Sequence, residues 1–529
     1  MTRVSVSSVI LFCLLLQSGF CRELAAAEPM SWASPWGPEY NGISRERNIP
    51  LKWDEDSVDV DSQRQEMWEI TEVSLFHPPL AYNNKLYLLY RESIPDPYEP
   101  QVSGPVTLSA WDISQVDAEE VFRKQIVLAP NEPMPQIVGD SPWRQLFVLK
   151  ADGELRAYDS DLGYEFWTRP VTDVLPAEFR VLEITSPLIF DYLIITVMTC
   201  EDAQGKSFQF TVARDRRNGL PLWQHRSPFT APGSPLQMPG ICNFEHQVAL
   251  AMGSGEQGRL QLLQIRTGKS IAQCQVAGGG TLQQIRADHN RLLALSKSPL
   301  TEGGFEWQLS YWDLETVDQM TMAPTLSWSM GKSETAACLL RKDQAFVAGP
   351  EGKLHCFRAD QQAAQAQGTL NRSGPYFLQW VDDQLLVTSA LGEWQVWKCQ
   401  EEGCERIYDK PSDQGYVGPV AIVKQRIFIG QNTRLLVRGR MNTDDARSDL
   451  MIPLEDLAQE TESDLSGEIQ LLPAAVNLNA GRKQNFQLLQ FNDRGAYLNS
   501  LEPAAVKWTW NGPGTFDAET GELQMPEEN

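Results

Sequence analysis

The sequence predicts an all-β fold: an eight-bladed β-propeller of four-stranded blades, with a small β-sandwich-like segment at the C-terminal end. Three observations predict it. First, from about residue 66 the chain is a succession of short apolar runs, among them LYLLY, LFVLK, LIITVM, FQFTVA, VALAM, LLALS, LLVTS and RIFIG. Each has strand length and is bounded by Gly, Asp, Asn or Lys, and helical periodicity is nearly absent. Second, one hairpin pattern recurs. Ala157, Asp159, Gly163 and Trp167 repeat as Ala213, Asp215, Gly219 and Trp223 with the same internal offsets. Asp suits a turn entry, Gly takes the positive-φ position, and Trp supplies a large apolar anchor on the return strand. Third, units of this kind begin near residues 78, 137, 184, 233, 280, 332, 374 and 415. A spacing of roughly 40 to 60 residues is that of four-stranded blades.

The elements follow in order. The first residues, MTRVSVSSVILFCLLLQSGFCRELAAAEPM, hold one early Arg and then an apolar run too short to span a bilayer. Residues 1–27 are expected to be a signal peptide cleaved after Ala27. Residues 28–65 read as an irregular lead-in, since SPWGPEYNGIS is rich in Gly and Pro and suits neither helix nor strand. Residues 66–440 are the propeller.

Several units open on a proline: Pro78-Pro79-Leu80, Ser186-Pro187-Leu188, Ser234-Pro235-Leu236 and Gly418-Pro419-Val420. Proline lacks the ladder N–H, so these segments should mark the first strand of each unit. Later copies of the hairpin are worn. Tyr311-Trp312-Asp313 has Val317 where the turn Gly belongs, and Cys356-Phe357-Arg358 lacks the Asp. The last unit stops after about three strands. MWEIT, residues 67–71, is the natural fourth, and pairing the two ends would close the ring without open edges. Residues 441–467 are acidic and free of aromatics, as expected of a linker. Residues 468–529 alternate again.

Composition restricts the function. With 16 Trp, 20 Phe and 13 Tyr the chain can bury a large core. Its formal net charge of −24 opposes nucleic acid and anionic lipid. Beyond the leader no stretch is long and apolar enough for a membrane helix. Of nine Cys, two fall in the leader, leaving an odd number that cannot all pair within one chain. Cys399 and Cys404, in KCQEEGCER, flank a Gly-containing turn and are the candidate disulfide. His77, His225, His246, His289 and His355 lie far apart, and neither HExxH nor CxxC occurs. Neither GxSxG nor a P-loop is present. Gly278-Gly279-Gly280 lacks the spacing and the following Lys-Ser/Thr of a phosphate loop and reads as a connector between blades.

These features resemble the exported bacterial proteins built on PQQ-like (pyrroloquinoline quinone) β-propeller repeats. The repeat of that family is Ala-x-Asp-x-x-Thr-Gly-x-x-x-Trp. Ala213 to Trp223 matches it with Asn218 in place of Thr, and Ala157 to Trp167 with Leu162. The family's lead-in is matched by Gly37, Pro38, Gly42, Ile43 and Ser44, then Ile49, Pro50, Leu51 and Trp53. Pro35 and Trp36 depart from it, standing where the family has an aromatic and an Arg. The C-terminal stretch resembles bacterial immunoglobulin-like modules through Pro473, Gly481, Val506, Trp508, Gly514, Phe516 and Gly521, without their final strand.

The resemblance implies two functions. Quinoprotein dehydrogenases of this type hold PQQ and Ca²⁺ on the propeller, with the quinone sandwiched between a Trp and an adjacent Cys-Cys disulfide. This sequence has no Cys-Cys pair. Other members are non-catalytic; a similar propeller is the adaptor subunit of the outer-membrane barrel assembly machine. The expectation is therefore an exported, periplasmic or extracellular scaffold, monomeric or an adaptor subunit, that binds envelope protein or polysaccharide. No residue is assigned a catalytic, cofactor-binding or metal role. A PQQ/Ca-dependent alcohol or sugar dehydrogenase is the alternative.

Overall fold

Strand-length apolar runs separated by two or three polar residues can bury themselves only by folding back as antiparallel hairpins and stacking those sheets on one another. The computed structural model shows this arrangement. It describes most of residues 65–440 and 469–526 and a few lead-in residues between 42 and 52; residues 1–41, 53–64, 93–104, 229–238 and 441–468 lie outside the described residues. The expected leader, the linker, Trp36 and the Ser234-Pro235-Leu236 entry fall there, and Val317 lies in a further such stretch, 317–322.

Among the described residues, eight antiparallel sheets follow one another along the chain. We number them as blades: 1 (73–126), 2 (136–170), 3 (180–228), 4 (240–275), 5 (281–332), 6 (337–369), 7 (376–409) and 8 (421–440, completed by 65–70). Six have four strands. Blades 1 and 3 have five because their first strand is split. Val73–Leu75 and Leu80–Tyr82 both pair with Lys85–Glu92, and Arg180–Ile184 and Leu188–Phe190 both pair with Leu193–Glu201. Pro78-Pro79 and Pro187 lie at the two breaks. In these blades proline interrupts the first strand instead of starting it, because the ladder fails where no N–H is available.

The hydrophobic cores close the ring. Each cluster joins consecutive blades: Leu108 with Leu146, Phe147 with Met198, Ile195 with Leu250, Leu262 with Leu292, Leu309 with Val347, Phe346 with Leu378. One last cluster runs from Leu386 of blade 7 through Phe428 of blade 8 to Leu88 of blade 1. The chain ends of the ring meet in blade 8, where Gln65–Ile70 pairs antiparallel with Arg434–Arg440, Trp68 opposite Val437.

Side chains also reach from one blade to the backbone of the next innermost strand. Gln379 both donates to the Val420 carbonyl (2.8 Å) and accepts from its N–H (2.9 Å), imitating a β-bridge. Gln284 accepts from Cys338 N–H at 2.9 Å. His77 holds the corresponding place between blades 1 and 2. Its Nδ1–H donates to the Pro78 carbonyl (2.7 Å) and its Nε2 accepts from Ile137 N–H (3.4 Å). Both ring nitrogens are thus committed to the neutral form. Burial lowers the His77 pKa from 6.5 to about 4, although the Pro78 hydrogen bond opposes this.

A pH dependence follows. An unfolded chain takes up this proton below pH 6.5 and the folded chain only near pH 4, so stability is full above pH 6.5 and declines between the two. The shift corresponds to about 3 kcal/mol. Urea midpoints of the wild type should fall across that window more steeply than those of His77→Asn; equal slopes would remove His77 from the acid response.

The C-terminal segment forms two three-stranded antiparallel sheets. One joins Ile469–Leu472, Gln487–Phe491 and Tyr497–Leu501; the other joins Lys483–Asn485, Glu522–Gln524 and Thr515–Asp517.

Candidate functional site

The first hairpin turn of every blade follows its innermost strand, so these turns gather at one end of the ring. In blades 5 to 8 they hold His289 (φ 54°), Lys342 (φ 50°), Asp382 (φ 49°), Asp383 (φ 58°) and Gln425 (φ 58°). Two-residue hairpin turns favour Asn-Gly at such angles. The same turns of blades 1 to 3 hold Asn84 (φ 58°), Arg144 (φ 51°) and Asp191 (φ 53°), so a left-handed residue is common to these turns around the ring and does not by itself mark a site.

The turns are linked into a belt. The carboxylate of Asp288, which is buried, accepts from His289 Nδ1–H at 2.8 Å and from the Lys342 N–H of the next blade at 2.6 Å. Burial pushes the Asp288 carboxyl up, but these hydrogen bonds and the nearby positive charges outweigh it and hold it below the usual range. Arg291 of blade 5 pairs with Asp343 of blade 6 at 2.5 Å, and Arg341 of blade 6 with Asp383 of blade 7 at 3.0 Å. The Arg341 guanidinium also lies 4.0 Å from the centre of the Trp380 ring. Asp343 and Asp383 stay 61% exposed, so their carboxylates face solvent while their partners are held.

The lead-in covers the next sector. Gly42–Ser44 binds the inner edge of blade 7: Ser44 N–H donates to the Trp380 carbonyl (2.8 Å) and Trp380 N–H to that of Gly42 (2.9 Å). Glu46 then accepts from Gln425 N–H (2.6 Å), Ile49 N–H donates to Asp382 (3.3 Å), and the Leu51 carbonyl accepts from Trp394 Nε1–H (3.2 Å).

The repeat residues lie elsewhere, in the third and fourth strands of blades 2 and 3, where they join blades. Asp159 Oδ1 accepts from the N–H groups of Asp161 and Leu162, and Asp215 Oδ1 from that of Arg217. Gly163 (φ 71°) and Gly219 (φ 73°) close the turns, and Ala157 and Ala213 are buried. Trp167 Nε1–H donates to the Arg216 carbonyl of the following blade at 2.9 Å, and Trp223 to that of Ile265 at 3.1 Å. The structure brings the two repeats together here, since a Cβ on Gly219 would stand 2.7 Å from the Trp167 ring. Arg214, fully buried, adds an ion pair to Asp173 and a bond to the Val171 carbonyl (3.1 Å) across the same boundary. Cys399 and Cys404 form a disulfide at the hairpin end of blade 7; Cys200, Cys242, Cys274, Cys338 and Cys356 are free and buried. Gly278 and Gly279 form the short connector between blades 4 and 5.

Eight blades joined in a closed ring leave one architecture. The chain is a β-propeller. No protein-family model matches it, and no curated protein does. Solved structures do. The quinohemoprotein alcohol dehydrogenase from Comamonas testosteroni superposes with a TM-score of 0.50 at 11% identity, covering 84% of each chain. BamB from Moraxella catarrhalis gives 0.47 at 13% identity over 72% of this chain and 99% of its own. The quinohemoprotein alcohol dehydrogenase ADHIIG from Pseudomonas putida HK5 gives 0.48 at 12% identity, over 82% and 83%. At 11% identity the likeness to the Comamonas testosteroni enzyme is one of fold alone.

The propeller's own residues test the cofactor alternative. PQQ with Ca²⁺ needs several hard oxygen donors gathered at one place. Among the described residues no three His, Cys, Asp or Glu side chains are gathered so that they would hold a metal. The disulfide joins residues five apart instead of neighbours. No step is derived through the group.

Proposed function

We propose that this protein is an exported, non-catalytic propeller scaffold that binds a protein partner of the cell envelope, as a monomer or adaptor subunit. The belt of blades 5 to 7 carries the reading. Its opposite charges are already paired and partly desolvated, so it presents ordered Asp343 and Asp383 carboxylates beside Arg291 and Arg341. Such a surface selects a partner of complementary charge pattern and disfavours uniformly charged polymers. The leader in residues 1–27 and the acidic linker in residues 441–467 belong to the same reading, as an export signal and a spacer.

The test is photo-crosslinking in cells from positions 343 and 383, with Leu391, 51% exposed on a loop at the other end of blade 7, as control. Defined adducts are expected from the belt and not from position 391. The double variant Asp343→Lys/Asp383→Lys should weaken the interaction about tenfold or more. The same adducts from all three positions, or none, would overturn the assignment.

A further inference from the structure

Large exposed hydrophobics among the described residues include a single aromatic, Trp510, at 42% exposure. It sits in VKWTWNGPGTF of the C-terminal segment, apart from the ring's belt. Its exposure has no polar cause, because its Nε1–H is already satisfied by the Pro513 carbonyl at 3.3 Å. The indole is held in place. The backbone folds close against it at Gly512, where a Cβ would stand 2.5 Å from the ring. Phe516 supports it at 6.3 Å with an interplanar angle of 24°, and Trp508 packs on Phe516 from 4.7 Å. Trp508 is itself fixed by a bond to the Pro503 carbonyl (2.8 Å). A rigid aromatic that keeps nearly half its surface in water gives up burial energy and spends no entropy when something stacks on it.

We propose that Trp510, backed by Phe516 and Trp508, is a stacking site for a neutral pyranose ring of a glycan. A pyranose presents a flat face of C–H groups, which suits the electron-rich face of an indole. Its hydroxyl rim needs uncharged donors and acceptors, and the chain neighbours of Trp510, Thr509 and Asn511, are exposed and neutral. The net charge of −24 argues against nucleobases and anionic glycans, whose phosphates or carboxylates it repels. This inference does not depend on the partner proposed for the ring.

Affinity electrophoresis of the full mature chain in gels holding barley β-glucan, galactomannan or dextran tests it. Fluorescence titration with the matching hexaose then follows for the polysaccharide that retards the protein. Wild type should be retarded by at least one neutral polysaccharide. Trp510→Ala should weaken binding about tenfold or more, and Trp510→Phe should retain much of it, with both melting like wild type. Unchanged mobility in all three gels overturns the proposal. So does retardation of Trp510→Ala equal to wild type, or retardation only in a fourth gel, holding dextran sulfate. Because the belt variants leave Trp510 intact, their behaviour separates failure of this site from failure of the ring's.

Discussion

Replacing Trp167 by alanine should cost about 4 kcal/mol, the range of a buried Trp truncated in a packed core. The side chain is 9% exposed and spans the boundary between blades 2 and 3. It touches Phe147 of its own blade at 5.9 Å between ring centres, faces Gly219 of the next, and caps the Arg216 carbonyl. Truncation empties the contact and leaves that carbonyl only the long 3.5 Å bond from Gln145 Nε2, and both effects destabilise. Gly219→Ala attacks the same contact from the other side, adding a Cβ 2.7 Å from the ring at a φ of +73°. It should therefore also destabilise, and the double variant should lose less than the two losses added, since the sites share one contact. Chemical denaturation followed by circular dichroism measures all three. A loss below about 1 kcal/mol for Trp167→Ala would show that the repeat Trp does not hold the ring together.

Removing residues 1–71 should be the more damaging change. Blade 8 takes its fourth strand from Gln65–Ile70, so the truncated chain keeps a three-stranded blade with Arg434–Arg440 as an open edge. It also loses Gly42–Ser44 from the edge of blade 7 and the buried Ile49 and Leu51 from the cluster that joins blades 7, 8 and 1. An unpaired edge is a template for association. The expected result is a loss of roughly 5 kcal/mol or more, a large part of the stability of a typical domain, with self-association. Light scattering and thermal melts read both effects. A truncated chain that stays monomeric and melts with the full-length protein would mean that the closing strand is dispensable.

The closing strand was legible because the pattern left a strand missing. Apolar runs of strand length counted out units to near residue 415, the last stopped short, and MWEIT stood unused before the first. The same alternation made blades visible at LFVLK and FQFTVA. Proline was legible only in part: Pro187 and Pro78 signalled an inner strand, but its splitting into two pieces on one partner, Leu193–Glu201 or Lys85–Glu92, depends on how that longer strand lies beside it.

The belt left no sequence signal. Its partners come from different blades, as with Asp288 and the Lys342 N–H, 54 residues apart. Each turn alone reads as an ordinary polar hairpin end. Trp510 was equally silent, because a Trp in an alternating stretch looks like core until its surroundings are known.

By itself the sequence determined that the chain is all-β, where its hairpins turn, and how many units it divides into. These follow from residue period, turn chemistry and spacing, which act within a few residues of one another. Only the tertiary structure decided which turn of one blade meets which of the next, that Trp167 docks on Gly219, and that Trp510 stays in water. Those outcomes depend on the radial packing of sheets and on the room left beside each backbone, which no local pattern records.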